Sequence, residues 1–324
     1  MARDLDEQLT NYLTDAHSIE VQALAQLRTA PDIAGAPELA DAFRAHLEET
    51  KGHERLTREL LEQRNAEPSK VKDVVMGVGG KGFLLFARLQ PDTPGKLFAH
   101  ALSYEGLEYA SYELLRRVAK QAGDNDVVRA ARQIGAEERA MMETLGGHVD
   151  AAVRSALEEH PRDELPTLVR KYLADAHAIE EQAIGLLERA PKLVDDPELE
   201  AVFEDHLSET REHAELVQSR LTALGGDSSS LKDAAMRLGA LNWSSFFQGH
   251  PETPGKLVAF AYAFEHLEIG GYEQLKRVAD AAGDSATVDV VEAILREERT
   301  AARLLARAFD AAAADSLRAV SVSG

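Results

Sequence analysis

The hydrophobic and polar residues of this chain recur with the period of α-helices. In one stretch the apolar and titratable positions are spaced by alternating steps of four and three residues, as on one buried face of a helix. That face consists of Ala42, His46, Glu49, His53, Leu56 and Leu60. No stretch sustains the alternation of a β-strand. The pattern therefore predicts an all-α fold.

The same pattern predicts four long helices in the first half of the chain. Helix A covers about residues 5–29 and helix B about residues 37–64. Helix C begins at Thr93-Pro94 and ends before Gly123-Asp124, and helix D carries the apolar positions between 127 and 145. Threonine caps helix N-termini, proline fits a first turn, and Gly-Asp interrupts a helix. The short A–B and C–D connections predict two antiparallel hairpins.

The connection between helices B and C is much longer, from Asn65 to Thr93, and exceeds a simple turn. Its length predicts a crossover that runs along the bundle, as in ferritin-like four-helix bundles. Its apolar positions predict short helices that cover the bundle, with a lid or a dimer contact as the alternative. They are Val74, Val75, Met76, Phe83, Leu84, Leu85 and Phe86.

The second half of the chain repeats the first at a constant offset and without a gap. Tyr-Leu-x-Asp-Ala-His at 12–17 returns at 172–177, and Thr-Pro-Gly-Lys-Leu at 93–97 returns at 253–257. Each unit is long enough to bury its own core. We therefore expect two tandem four-helix domains, at residues 1–158 and 161–324, with a boundary where Pro161 interrupts the helical pattern.

Composition and charge exclude several classes of function. The chain has no cysteine, which excludes a disulfide framework, a thiolate zinc site and a cysteine nucleophile. Its formal net charge of −20 disfavours nucleic acids and anionic membranes as partners. The N-terminus shows no signal-peptide pattern, and no apolar run reaches the length of a membrane span. We therefore expect a cytoplasmic protein without nucleic-acid or membrane partners.

Each of the four helices places one glutamate on its apolar face. In the first repeat these are Glu20, Glu49, Glu108 and Glu138, and in the second Glu180, Glu209, Glu268 and Glu298. Four converging carboxylates would repel one another and become protonated, a conflict that two divalent or trivalent cations would remove. Inward carboxylates from all helices of a bundle are how di-iron and di-manganese sites are built. We therefore interpret these glutamates as metal ligands.

Further titratable residues lie within one helical turn of these glutamates, on nearly the same faces. They extend the predicted ligand set by His53, Glu105, His213 and Glu265. Carboxylate oxygens with one or two imidazoles suit iron or manganese better than copper or zinc.

Other polar residues of the helices are better explained by structural roles. We interpret His17 and His46 as hydrogen-bonded residues of the core or its surroundings. Tyr112 is interpreted as a packing residue, with a hydrogen-bond donor to the ligands or a radical-prone residue as the alternative. Glu137 is expected on the solvated flank of helix D, beside Glu138.

Three motifs occur once in each repeat. They are Tyr-Leu-x-Asp-Ala-His-x-Ile-Glu at 12–20 and 172–180, His-Leu-x-Glu-Thr at 46–50 and 206–210, and Glu-x-x-Glu-x-x-x-Tyr at 105–112 and 265–272. With these motifs nearly the whole of each unit resembles the YciE/YciF type of bacterial ferritin-like stress proteins. The resemblance implies a ferritin-like fold, a di-metal centre, a tendency to dimerise and a role in general stress. The two units of this chain would then form an internal pseudo-dimer, and further pairing of chains stays open.

The predicted ligands depart from the wider ferritin superfamily, which usually places Glu-x-x-His on two helices. Helix B offers Glu49-x-x-x-His53, and helix D has no histidine near Glu138. The metal identity therefore stays open between iron and manganese.

Three functions compete. The first is a di-iron, alternatively di-manganese, protein that oxidises iron or reacts with oxygen or peroxide, with ferroxidase-like or catalase-like activity. The second is a non-enzymatic helical stress or scaffold protein, in which the inner carboxylates are protonated or paired with basic residues. The third is a small-molecule oxygenase, which needs an apolar cavity beside the metal.

Overall fold

The computed structural model of the chain describes residues 2–66, 93–226 and 253–323, and these residues form helices and no strand. The first repeat contains α1 (Ala2–Leu27), α2 (Ala30–Ile33), α3 (Pro37–Gln63), α4 (Thr93–Ala122), α5 (Asn125–Gly146) and α6 (Val149–Glu159). The second contains α7 (Leu165–Leu187), a 3-10 turn at Ala190–Leu193, α8 (Pro197–Ala223), α9 (Thr253–Ala282), α10 (Ser285–Arg307) and α11 (Phe309–Ser323). The predicted all-α fold of two tandem units is confirmed.

A glycine and an aspartate form the turn between α4 and α5. Gly123 has a φ of 75°, a left-handed conformation that glycine adopts without strain. The Asp124 carboxylate then accepts hydrogen bonds from the backbone N–H groups of Asp126 and Val127, which caps the new helix. Positions 283–284 of the second repeat are the same two residue types, again with a positive φ at the glycine. Helices C and D therefore form the predicted hairpin.

Arg64 shows how the helices of the first bundle are oriented. Its guanidinium binds Asp6, near the start of α1, and Asp124, just before α5. At this end α3 and α4 therefore finish, and α1 and α5 begin. At the opposite end Gly35, between α2 and α3, lies against the ring of Pro94. The chain thus leaves α3 at one end of the bundle and enters α4 at the other, as a crossover requires.

The predicted crossover itself lies outside the described residues, together with its apolar positions from 74 to 86 and their counterparts in the second repeat. Within the described part, α1 packs against α3 and α4, and α5 packs against the same two helices. The buried core between them includes Leu13, Phe43, Leu115 and Ile134. Each repeat is therefore built on a four-helix bundle.

A further helix at the end of each repeat was not predicted. Helix α6 contacts α4 and also α9 of the other repeat, and α11 contacts α9 and also α4. Each end helix thus packs on the long central helix of both repeats. Among the helices of the described ranges, none combines the length and the hydrophobicity that a membrane span needs.

The long helices α4 and α9 form the centre of the contact between the repeats. Ser103 donates a hydrogen bond from its hydroxyl to the carbonyl of Ala263 at 2.8 Å. Gly106 faces the ring of His266, which a Cβ at position 106 would meet at 3.4 Å. Both contacts join positions that are equivalent in the two repeats. Equivalent positions meet each other on a two-fold axis, so the repeats are related by an internal pseudo-two-fold.

Two ion pairs at the ends of this contact obey the same symmetry. Arg117 binds Asp310 at 2.5 Å, and Arg277 binds Asp150 at 2.7 Å. Each pair joins one repeat to the other, and the offset between the repeats converts one pair into the other. Both aspartates are exposed, so each pair adds little stability. Their value here is that they show reciprocal contacts, which define an isologous interface.

Candidate metal centres

Six buried titratable side chains converge inside the first bundle. Potential ligand atoms of His46, Glu105, Glu108 and Glu138 all lie within 4.8 Å of one another, and so do those of Glu20, His53 and Glu138. Glu138 belongs to both groups, so the groups are adjacent. We call the combined set centre 1, and it consists of Glu20, His46, His53, Glu105, Glu108 and Glu138.

The helical period explains why these residues meet. His46 and His53 are two turns apart on α3, about 10.5 Å along its axis, so each faces a different one of the two groups. Glu105 and Glu108 are three residues apart on α4 and therefore share a face. Helices α1 and α5 each add one glutamate.

The carboxylates of centre 1 are removed from solvent without enough hydrogen-bond donors. Glu20 and Glu138 are 0% exposed and Glu108 is 1% exposed. Among the described residues, neither oxygen of Glu108 has a hydrogen-bond partner, and the oxygens of Glu138 have only the two histidine rings near them. Buried acceptors without donors are costly. The oxygens share their space with two ring nitrogens, since His46 Nε2 lies 3.0 Å from Glu105 and His53 Nδ1 lies 2.8 Å from Glu138.

Burial and mutual repulsion shift the pKa values of these groups. Burial raises the pKa of Glu105 to about 8. It also raises the pKa of Glu108 well above its ordinary value, and the neighbouring carboxylates of Glu138 and Glu20 add to this shift. Burial opposes protonation of His53, but hydrogen bonds to Glu138 and Glu20 outweigh it and raise the pKa of His53 to about 11. Without a metal ion, centre 1 therefore retains protons at neutral pH.

Both histidines are held from behind by a carboxylate outside the centre. His53 Nε2 lies 2.6 Å from Glu137, and His46 Nδ1 lies 3.0 Å from Glu49. These contacts leave the other nitrogen of each ring directed into the centre. Such carboxylate–histidine pairs are the usual support of metal-bound histidines, because they set the ring orientation and its basicity.

A tyrosine supports the glutamate of α1 in the same way. The Tyr112 hydroxyl donates a hydrogen bond to Glu20 at 2.5 Å, and Tyr272 donates one to Glu180 in the second repeat. Tyr112 is buried, as the packing interpretation predicts, and its hydrogen bond to Glu20 agrees with the alternative interpretation as a donor to the ligands.

The second repeat forms the same arrangement, which we call centre 2. It combines the groups of His206, Glu265, Glu268 and Glu298 and of Glu180, His213 and Glu298. His213 Nε2 lies 2.7 Å from Glu297, which repeats the support of His53 by Glu137. His206 Nε2 is hydrogen-bonded to Glu265 at 2.7 Å, and its Nδ1 lies 3.6 Å from Glu209. The two centres therefore differ in detail around this histidine.

Most of the residues that the sequence analysis assigned as ligands lie in these groups. They are Glu20, His53, Glu105, Glu108, Glu138, Glu180, His213, Glu265, Glu268 and Glu298. The structure does not bring Glu49 and Glu209 into either centre, because their side chains are about half exposed. His46 and His206 occupy the inward positions of α3 and α8 instead.

Glu49 was predicted to face inward because the predicted buried face of α3 is shifted by one residue from the observed one. The buried face runs through Phe43, His46, Thr50, His53 and Thr57. The predicted face included positions 42, 49 and 56, and each of these lies one residue before a buried one. A step of three and a step of four both preserve a helical face. Leu39 and Phe43 favour the observed phase and Ala42 and Leu56 the neighbouring one, so the apolar pattern alone did not decide between them.

The fold and these groups define a class of protein, which is an all-α protein of two tandem units, each with buried His/Glu groups that could hold metal ions. The chain belongs to the family DUF892, a domain of unknown function, which matches residues 4–158 and again residues 167–318. This match is consistent with the resemblance to the YciE/YciF type. No solved structure matches the chain.

Proposed function

We propose that each repeat holds a pair of metal ions, iron or alternatively manganese, and that the protein oxidises iron or reacts with oxygen or peroxide under oxidative or general stress. The observation that carries this proposal is the convergence of four carboxylates and two imidazoles, buried and short of hydrogen-bond donors, once in each repeat. Two cations per centre would supply the positive charge that these carboxylates lack.

The donor set fits such a pair of ions. Four glutamates and two histidines is the composition of di-iron and di-manganese carboxylate centres in bundles, and these oxygen and imidazole donors suit iron and manganese. The distribution differs, because both histidines of centre 1 come from α3 and both paired glutamates come from α4. Glu138, which belongs to both groups, would contribute to the binding of both ions.

The residues of the chain would hold, orient and shield the ions. Glu20 and His53 would serve one ion, and His46, Glu105 and Glu108 the other. Glu49 and Glu137 would fix the two histidine rings from outside. When bound, iron or manganese would supply the redox chemistry toward oxygen or peroxide. The buried surroundings would exclude bulk water, which strengthens every charge interaction in the centre.

Metal content measured by mass spectrometry tests the proposal. After anaerobic loading with Fe²⁺ or Mn²⁺, we expect about four ions per chain, since each two-metal site holds a pair. Glu138→Gln or Glu298→Gln removes the shared ligand of one centre, and each should lower the content by about half. Glu48→Gln serves as the control, because Glu48 lies on α3 but is exposed.

A chain that takes up neither metal would overturn the proposal and favour the scaffold function. In that case the buried carboxylates would be held by protons and by the His–Glu ion pairs described above. If metal binds, oxygen uptake and peroxide loss by the loaded protein are measured next. Turnover that survives Glu138→Gln combined with Glu298→Gln would contradict the assignment of the reaction to these centres.

A further inference from the structure

The two repeats differ along one wall of their candidate centres. Next to centre 1 lies a cavity of about 20 Å³, which is about the space of one water molecule. Its polar lining consists of Gln26, His100, Tyr104 and Glu105, and alanine, leucine and phenylalanine side chains complete it. Glu105 belongs to centre 1, so the cavity adjoins the proposed metal site.

The polar groups of this wall form a series that extends from the exterior to the centre. His100 is partly exposed, and its Nε2 is hydrogen-bonded to the side-chain oxygen of Gln26 at 3.0 Å. The nitrogen of Gln26 is buried and, among the described residues, has no hydrogen-bond partner. Tyr104 donates its hydroxyl to the carbonyl of Ile19 at 2.9 Å. Glu105 ends the series at the centre, where its Oε2 lies 3.0 Å from His46 Nε2.

In the second repeat the equivalent wall is apolar. Gln26, His100 and Tyr104 correspond to Leu186, Phe260 and Phe264 when the two repeats are aligned. Both phenylalanines are buried, and Leu186 packs against the hydrophobic core. Of the four polar residues that line the cavity, only Glu105 has a polar counterpart in the second repeat, which is Glu265. All three exchanges replace a hydrogen-bonding side chain by a hydrocarbon, in a pair of bundles that otherwise preserve every group of the centre.

We propose that this wall is an access site for a small uncharged polar molecule, hydrogen peroxide or water, and that it serves centre 1 and not centre 2. The inference rests on the proposed function, since it assigns a reactant to one of the two centres. The cavity offers donors and acceptors at the size of such a molecule. The phenylalanine wall offers none, and a polar molecule that enters it loses its hydrogen bonds to water. Centre 2 would therefore be reached by apolar dioxygen and not by hydrogen peroxide or water.

Two single-centre proteins separate the contributions, namely Glu298→Gln, which leaves centre 1, and Glu138→Gln, which leaves centre 2. Each is loaded with Mn²⁺, and the longitudinal relaxation of bulk water protons is measured. This relaxation reports exchange of water between the metal and the solvent without any turnover. We expect faster relaxation per bound Mn²⁺ at centre 1. Equal relaxation at the two centres would overturn the inference.

An exchange of the three side chains tests whether this wall is the cause. One variant gives the first repeat the residues of the second, with Gln26→Leu, His100→Phe and Tyr104→Phe. The reciprocal variant carries Leu186→Gln, Phe260→His and Phe264→Tyr. We expect the first to slow relaxation at centre 1 to the level of centre 2, and the second to raise relaxation at centre 2. Since each set is already accommodated in one repeat, at least one variant should fold, and a folded variant that leaves relaxation unchanged contradicts the inference.

Ser103→Ala is the matched control for this exchange. It also introduces the residue of the second repeat on α4, but position 103 faces Ala263 of the other repeat and not the cavity. Relaxation at centre 1 should not change in this variant. With iron in place of manganese, the three-residue exchange should slow the reaction of centre 1 with hydrogen peroxide by about tenfold, the effect of losing one or two net hydrogen bonds. The reaction with dioxygen should keep its rate.

A crystal structure of the metal-free chain keeps this inference separate from the proposed function. If neither centre binds metal, the proposed function fails, but the position of ordered water still tests the access site. We expect a water molecule between Gln26 and Glu105 and none beside Phe264. A dry cavity in the first repeat, or a hydrated one in both repeats, would overturn the inference.

Discussion

Glu138 and Glu298 occupy equivalent positions, yet their surroundings shift their pKa values in opposite directions. Both His46 and His53 contact Glu138, and together they lower its pKa despite its burial. Among the described residues His213 alone contacts Glu298 in this way, at 2.8 Å, and burial then raises the pKa of Glu298 to about 7. The metal-free centres therefore hold their protons on different groups, although their residues are the same.

The metal-free protein should lose stability as the pH rises from about 5 to about 8. Burial raises the pKa of Glu105 and of Glu180 to about 8 from an ordinary value of 4.5, so in this window the folded chain binds more protons than the unfolded chain. His53, with a pKa of about 11, acts in the same direction above pH 6.5. Glu138 acts oppositely, but its contribution is complete above pH 4.5.

Thermal unfolding at several pH values checks this prediction, with and without metal. Metal ions replace the bound protons, so their binding strengthens as the pH rises, and the loaded protein should not share the loss. A metal-free protein whose Tm rises from pH 5 to pH 8 would contradict the prediction. It would show that the pKa values of the buried carboxylates are not raised in the folded protein.

Glu49 tests the difference between a ligand and the support of a ligand. Glu49→Ala removes the carboxylate behind His46 but leaves all six groups of centre 1, so metal affinity should fall by about 10- to 100-fold. Glu108→Ala removes a ligand, and metal binding at that position should be lost at all practical concentrations. Isothermal titration with Mn²⁺ in a protein that also carries Glu298→Gln compares the two. An equal loss of metal affinity in the two variants would show that Glu49 is a ligand, as predicted from the sequence.

At the scale of elements, small residues set how closely α4 and α9 approach. A Cβ at Gly270 would lie 3.1 Å from the Cα of Ala99 on the facing helix, which is closer than packed carbon atoms normally come. Gly52 on α3 provides a contrast, because a Cβ there would meet nothing within 4 Å. One glycine is thus required by packing, and the other only lowers the stability of its helix.

Gly270→Ala should therefore destabilise the protein by about 1 kcal/mol or more, the cost of overpacking at a backbone contact. Gly52→Ala should stabilise it by up to about 1 kcal/mol, the difference in helix propensity. Chemical denaturation of the two metal-free variants under one condition measures both. A stabilised Gly270→Ala protein would mean that the two helices can separate without loss.

At the scale of the whole molecule, the pseudo-two-fold joins two units that are no longer interchangeable. Gly106 and His266 meet on the axis, and the His266 ring packs on Tyr262 with a centroid distance of 4.5 Å. Tyr262 also contacts Tyr109 and Phe309 at 5.7 and 5.6 Å. The equivalent positions on the other side of the axis are Leu102, Ile269 and Val149. One side of the contact is therefore aromatic and the other aliphatic.

Gly106→His should place two imidazoles on the axis and cost about 1–3 kcal/mol, as overpacking does. Adding His266→Gly should recover most of this loss, since the double variant again has one imidazole on the axis, now contributed by the first repeat. A double-mutant cycle by thermal unfolding gives the coupling between the two positions. If the two losses simply add, the positions do not face each other and the axis is misplaced.

Much of the fold was accessible from the chain because it depends on local periodicity. The four long helices, the turn at Gly123-Asp124 and the motifs that recur in the second half are each visible in short stretches of sequence. The end helices α6 and α11 were missed, since each packs on the central helices of both repeats. Their stability therefore comes from tertiary contact, which a pattern within one unit does not show.

The sequence by itself determined that each helix carries titratable groups on its apolar face, because residues three, four or seven apart on a helix share a face whatever the helix packs against. It also determined that this set of residues occurs twice, because the motifs recur in the second half of the chain. Only the tertiary structure decided that His46 lies inside and Glu49 outside, because the phase of a face is set by the neighbours that cover it. It likewise decided that Glu138 is common to both groups and that the wall beside Glu105 is polar in one repeat alone. Those features depend on distances between helices, and no single helix encodes them.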